Sequence, residues 1–131
     1  MEKIIYSLSI QVSGGPTLTV AGVVEADAYE KLDVTVPAKV GQTAGKAEVT
    51  VSAADLAQTK MLVIQASSKD GSLKYKTTAQ GATDVPINGP VTLVSGTATG
   101  LLGVKPDKLT FTNDATVPAT VTIFVARKAV T

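Results

Sequence analysis

Apolar residues recur at every second position through most of the chain. Ile4, Tyr6, Leu8, Ile10 and Val12 alternate with mostly polar neighbours, the two-residue period of a half-buried strand. Gly14-Gly15-Pro16 breaks the run, and Leu18, Val20, Gly22 and Val24 resume it. A third segment sets Leu32, Val34 and Val36 against Lys31, Asp33 and Thr35 and ends at Pro37. Val40 to Lys46 reads as a glycine-containing loop, after which Ala47, Val49 and Val51 alternate with Glu48, Thr50 and Ser52.

Lys60 to Ser67 is almost continuously apolar and predicts a strand covered on both faces. Lys69-Asp70-Gly71-Ser72 predicts a hairpin, with Asp-Gly in a type I′ turn. Leu73, Tyr75 and Thr77 then alternate with Lys74 and Lys76, the pattern of a solvent-facing return strand. Pro86 to Pro90 reads as a turn cluster, Val91 to Val94 as a short strand, and Gly96, Gly100 and Gly103 bracket a small-residue connection. Lys108 to Thr112 and Val117 to Ala126 predict two closing strands separated by Asn113-Asp114-Ala115-Thr116. The one helical signal is a turn at 52–58, with Ser52 as cap and Asp55 three residues on. It is shorter than the ~12 residues usual for a packed helix.

Nine or ten short strands at this spacing predict an all-β fold, a single-domain antiparallel β-sandwich over residues 1–131. Composition agrees with that class. Val (18), Thr (18) and Ala (17) dominate, and hydrophobic residues reach 44% while aromatics are only 4%. The core is therefore expected to be aliphatic. No apolar run approaches the ~18 residues of a membrane helix. The opening stretch, interrupted by Ser7, Ser9 and Gln11, does not read as a signal peptide.

The chain has no Cys, His or Trp. Cys- or His-ligated zinc, disulfides, thiol nucleophiles and Ser-His-Asp triads thus lack their raw material. A net charge of +1 leaves no electrostatic footprint for nucleic acid or an anionic membrane surface. Gly41-Gln42-Thr43-Ala44-Gly45-Lys46 glances at a phosphate-binding loop but has three residues between its glycines and Ala47 after the lysine. Glu25, Asp27, Glu30 and Asp33 could offer oxygen ligands to calcium but lack an EF-hand pattern, and read as a solvated edge or a contact surface. Paired carboxylates raise glycoside hydrolysis, the least favoured reading. Lys74-Tyr75-Lys76 is the only basic-aromatic interleaving and reads as an outer strand face. The expectation is a non-enzyme without cofactor or metal.

Residues 4–12, 28–38 and 60–67, with the closing pair 108–113 and 119–127, resemble in style the small virion proteins of tailed bacteriophages, the capsid decoration or cement proteins. The resemblance carries no diagnostic motif, so no family binding residue transfers. It implies a jelly-roll-like sandwich on the capsid surface that binds the major capsid protein, as a homo-oligomer with a trimer favoured. Partner contacts are expected at Leu101 and Leu102, which alternatively plug one end of the sandwich, and at Arg127 and Lys128. Other readings are a tail or baseplate component of a virion, and a carbohydrate-binding module with Tyr6, Tyr29 and Tyr75 as its available aromatic platform.

Overall fold

Ten strands form close to where the alternation places them: β1 (Glu2–Gln11), β2 (Thr17–Ala26), β3 (Ala28–Val36), β4 (Gly45–Thr50), β5 (Thr59–Ala66), β6 (Leu73–Lys76), β7 (Val85–Pro86), β8 (Val91–Leu93), β9 (Lys108–Asn113) and β10 (Ala119–Arg127). The computed structural model describes residues 2–50, 59–68, 70–77, 83–89, 91–93 and 108–128. The helical turn expected at 52–58 lies outside them.

Strands β3 to β10 pair in a nested series: β3 with β10, β4 with β9, β5 with β8 and β6 with β7, all antiparallel. Such nesting describes one long two-stranded ribbon folded back on itself. Two further pairings, β10 with β5 and β9 with β6, knit the ribbon into sheets of order β3-β10-β5-β8 and β4-β9-β6-β7. This is the eight-strand winding of a jelly roll.

The register explains the core. In the first sheet Leu32 pairs with Ile123, Ile123 with Ile64, and Ile64 with Val91. In the second, Ala47 pairs with Phe111 and Phe111 with Tyr75. Because successive side chains alternate between faces, each row is a set of in-phase inward positions. Leu62, Ile64, Val121, Ile123 and Val125 from one sheet meet Val49, Leu73, Tyr75, Leu109 and Phe111 from the other. Burial pushes the Tyr75 phenol above its usual range.

Four crossings between the sheets, from β3 to β4, β5 to β6, β7 to β8 and β9 to β10, gather at one end. Asn113, fully buried, ties two of them together. Its side-chain amide donates to the Pro37 carbonyl (3.3 Å) and the Val117 carbonyl (2.9 Å), and its Oδ1 accepts from the Ala115 N–H (3.0 Å). The crossing from β5 to β6 corrects an expectation. Asp70-Gly71 does not close a hairpin, because β5 and β6 belong to opposite sheets. Nor is the turn type I′: Gly71 has φ +87°, but Asp70 keeps a negative φ, and that turn needs both positive. Instead the Asp70 carboxylate accepts from the Ser72 hydroxyl (2.6 Å), the Ser72 N–H (2.9 Å) and the Ser68 hydroxyl (3.1 Å). These bonds hold its pKa below the ordinary carboxylate value.

Two other expectations change in detail. β6, expected as a solvent-facing return strand, buries Leu73 and Tyr75 in the core, so only Lys74 and Lys76 belong to its outer side. The turn cluster that begins at Pro86 takes in the last residue of β7 and a fully buried Ile87, whose N–H donates to the Leu73 carbonyl (2.8 Å).

Phe111→Ala is expected to lower unfolding free energy by about 3–5 kcal/mol, because it empties the centre of an aliphatic core. Urea unfolding followed by far-UV circular dichroism reads this directly. Asp70 adds a pH-dependent element. A depressed native pKa means its stabilising share is present above the unfolded pKa and lost as pH falls through the native one. Wild type and Asp70→Asn should therefore differ in urea midpoint near neutrality and converge as pH drops from about 4 downward.

Candidate interaction surface

Before entering the sandwich, the chain builds a separate hairpin. β1 and β2 pair over ten rungs, from Glu2↔Ala26 to Gln11↔Thr17, with no register shift. A tight turn closes the tip: the Gly15 N–H donates to the Val12 carbonyl (2.8 Å) and the Val12 N–H to the Pro16 carbonyl (3.1 Å). β2 then runs into β3 through Asp27 alone, whose N–H donates to the Arg127 carbonyl (2.9 Å). The hairpin is thus an arm about 33 Å long, growing out of an edge strand of the first sheet. It leaves from the end of the sandwich opposite those four crossings.

The even-numbered residues of both strands share one face. Cross-strand partners on it are Ile4 with Val24, Tyr6 with Gly22, Leu8 with Val20 and Ile10 with Leu18. At the root, Ile4, Tyr6, Val24 and Ala26 pack on Met61, Val63, Phe124 and Ala126, the outward-facing side chains of β5 and β10. Tyr6 lies across its bare partner, and a Cβ on Gly22 would stand 2.6 Å from the Tyr6 hydroxyl oxygen. This contact is why β5 is buried on both sides, as its continuous apolar run predicts.

Farther out, the same face loses its cover. Leu8, Ile10, Val12, Leu18 and Val20 are 40–57% exposed, and on the reverse face the cross-strand pair Ile5 and Val23 is 81% and 57% exposed. From Ile4 through Val24 no residue carries a charge. Among the described residues, each strand of the arm also has one edge without a partner strand, since that sheet contains only β1 and β2. An uncharged ribbon with open edges and an apolar stripe is what soluble monomers avoid presenting. The alternation in this segment predicts half-burial along its whole length. The structure supplies that burial only at the root.

The other candidate residues fall as follows. Arg127 ends β10 at the arm's root, where its guanidinium meets the Glu30 carboxylate at 3.8 Å. Lys128 follows it, exposed. Leu101 and Leu102 lie outside the described residues; the strands that flank them, β8 and β9, end and begin at the arm's end of the sandwich. The acidic residues disperse: Glu30 faces Arg127, and Asp33 Oδ1 accepts from the Thr122 hydroxyl (2.8 Å). Among the described residues no three carboxylates gather as a metal site would require.

Of the tyrosines, Tyr75 sits in the core and Tyr6 covers Gly22. Only Tyr29 is open, stacked on Phe124 with ring centroids 5.8 Å apart. Of the segment Val40 to Lys46 expected as a loop, residues 40–44 form one, closed by a bridge between Val40 and Thr43, while Gly45 and Lys46 already belong to β4. A strand rather than a helix N-terminus follows that loop directly, so no helix end points from it at a phosphate. Compared with known proteins, the chain matches no family model and no curated sequence.

The root contact should be measurable separately from the ion pair beside it. Met61→Ala is expected to cost about 2–4 kcal/mol in urea unfolding, because Met61 is buried between the arm and the sandwich. Arg127→Met should change stability by less than about 1 kcal/mol, as half-exposed pairs do.

Proposed function

We propose that this chain is a non-enzymatic structural protein of a tailed-bacteriophage virion, most specifically a capsid decoration protein that binds the major capsid protein lattice and stabilises the head. The observation that carries this reading is the division of labour between a tightly packed jelly-roll body and an uncharged apolar arm projecting from it. The body holds a shape. The arm offers a partner an extended strand pair, a stripe of aliphatic side chains and two open edges, the means by which proteins add to one another's sheets.

A lattice partner suits such a surface. Each arm presents a modest area, and many copies bound side by side gain avidity without any single contact being strong. The resemblance of residues 4–12, 28–38, 60–67, 108–113 and 119–127 to virion proteins supports the same class.

Purified protein mixed with heads and, separately, with tails of the cognate phage tests the reading on a density gradient. Saturable co-sedimentation with heads, together with a higher temperature of head disruption, is the expected result. Binding to tails alone would move the protein to the tail or baseplate, and binding to neither would overturn a virion role.

A further inference from the structure

The distal half of the arm has an occupant that the chain itself can supply. We propose that the even face of the arm, formed by Leu8, Ile10, Val12, Leu18 and Val20, packs against the same face on the arm of a second copy of this protein.

Four observations carry this. First, the face is continuous with one already engaged: the stripe that seats Ile4, Tyr6 and Val24 on the sandwich runs on unbroken through Leu8↔Val20 and Ile10↔Leu18. It has the chemistry of a surface that packs on aliphatic groups, and a second arm provides such groups in the same spacing.

Second, nothing on the arm opposes its own copy. No charge lies between Lys3 and Glu25, no bulge interrupts the ladder, and the whole chain carries a net charge of only +1. A face without charge or directional polar groups is self-complementary across a two-fold axis, which is what an isologous contact requires.

Third, a hairpin standing alone in water is marginally stable, and three or more strands or a second layer are needed to hold it. Two arms stacked face to face make a four-stranded, two-layer unit at the usual ~10 Å spacing.

Fourth, the area sets the strength. The five side chains offer on the order of 400 Å² per copy, about 800 Å² in all, which is below the range of stable specific interfaces and in that of weak, transient ones. Association should therefore depend on concentration, and be completed where copies are held close together.

Adjacent residues on one strand separate this from any general effect of added charge. Leu18 lies on the even face and Thr19 on the reverse face, in the same exposed part of β2. Light scattering and sedimentation equilibrium from about 1 μM to about 1 mM would follow wild type, Leu18→Lys and Thr19→Lys. Wild type is expected to rise from one protomer to two or more. Leu18→Lys should shift the midpoint concentration upward by about tenfold or more, and Thr19→Lys should leave it in place. Far-UV circular dichroism and the urea midpoint confirm that each variant is folded, and Val20→Lys replaces Leu18→Lys if it is not.

A wild type that stays monomeric throughout, or a Leu18→Lys that associates like wild type, overturns the proposal. The inference does not rest on the virion reading, and the two can fail separately. A monomeric wild type whose binding to heads is lost in Leu18→Lys gives the face to the capsid lattice, ending this proposal and sparing that one. Self-association without binding to heads or tails does the reverse.

Discussion

Because β10 and β5 are the central strands of the first sheet, both of their faces have to be kept from water. Inward, Leu62, Ile64, Val121, Ile123 and Val125 are buried against the second sheet. Outward, the same two strands present Met61, Val63, Phe124 and Ala126, which would form an apolar patch on the sandwich if nothing lay over them. The jelly-roll winding supplies no second layer on that side. The root of the arm does. The sandwich and the arm are therefore coupled: the arm protects the outer face of the sheet, and the sheet anchors one end of a hairpin too thin to stand alone.

That coupling decides what kind of mobility the arm can have. Its root is fixed by packing and by the rung from the Asp27 N–H to the Arg127 carbonyl, which continues the ladder of the first sheet into the arm. Among the described residues, the distal half has only its own ladder to hold it. An element rigid at one end and uncovered at the other can adapt to a partner's surface without disturbing the body, and it loses less conformational freedom on binding than an unstructured tail would.

Much of the fold is legible in the sequence because the core is written in a two-residue period. That Val121, Ile123 and Val125 share one face follows from alternation alone, and the double cover of β5 is announced by the unbroken run Met61-Leu62-Val63-Ile64. What alternation cannot express is which sheet a strand joins. Asp70-Gly71 has the composition of a hairpin turn, and local chemistry would serve either a hairpin or a crossing. The choice is made by distant pairings, β10 with β5 and β9 with β6, that no local window contains. Asn113 shows the same limit, since a loop-forming residue in sequence becomes the buried tie between two crossings only once Pro37 and Val117 are brought beside it.

The interaction surface is harder to read for a related reason. Alternation reports that one face of β1 and β2 is apolar, and it is silent on whether that face is covered by the same chain. A second signal was present in the absence of charge from Ile4 to Val24. Compare β3, which also has an apolar face yet carries Lys31 and Asp33 on its outward side, as a strand with one face permanently in water does. β1 and β2 have only Ser, Thr, Gln, Ala and the Ile5–Val23 pair outward over the same length. Hydroxyls and methyls without charge tolerate water and a protein partner alike, whereas a charge would have to be desolvated on burial. A strand pair that omits charge on both faces can be covered on both without desolvating an ion, which a strand like β3, with Lys31 and Asp33 outward, cannot.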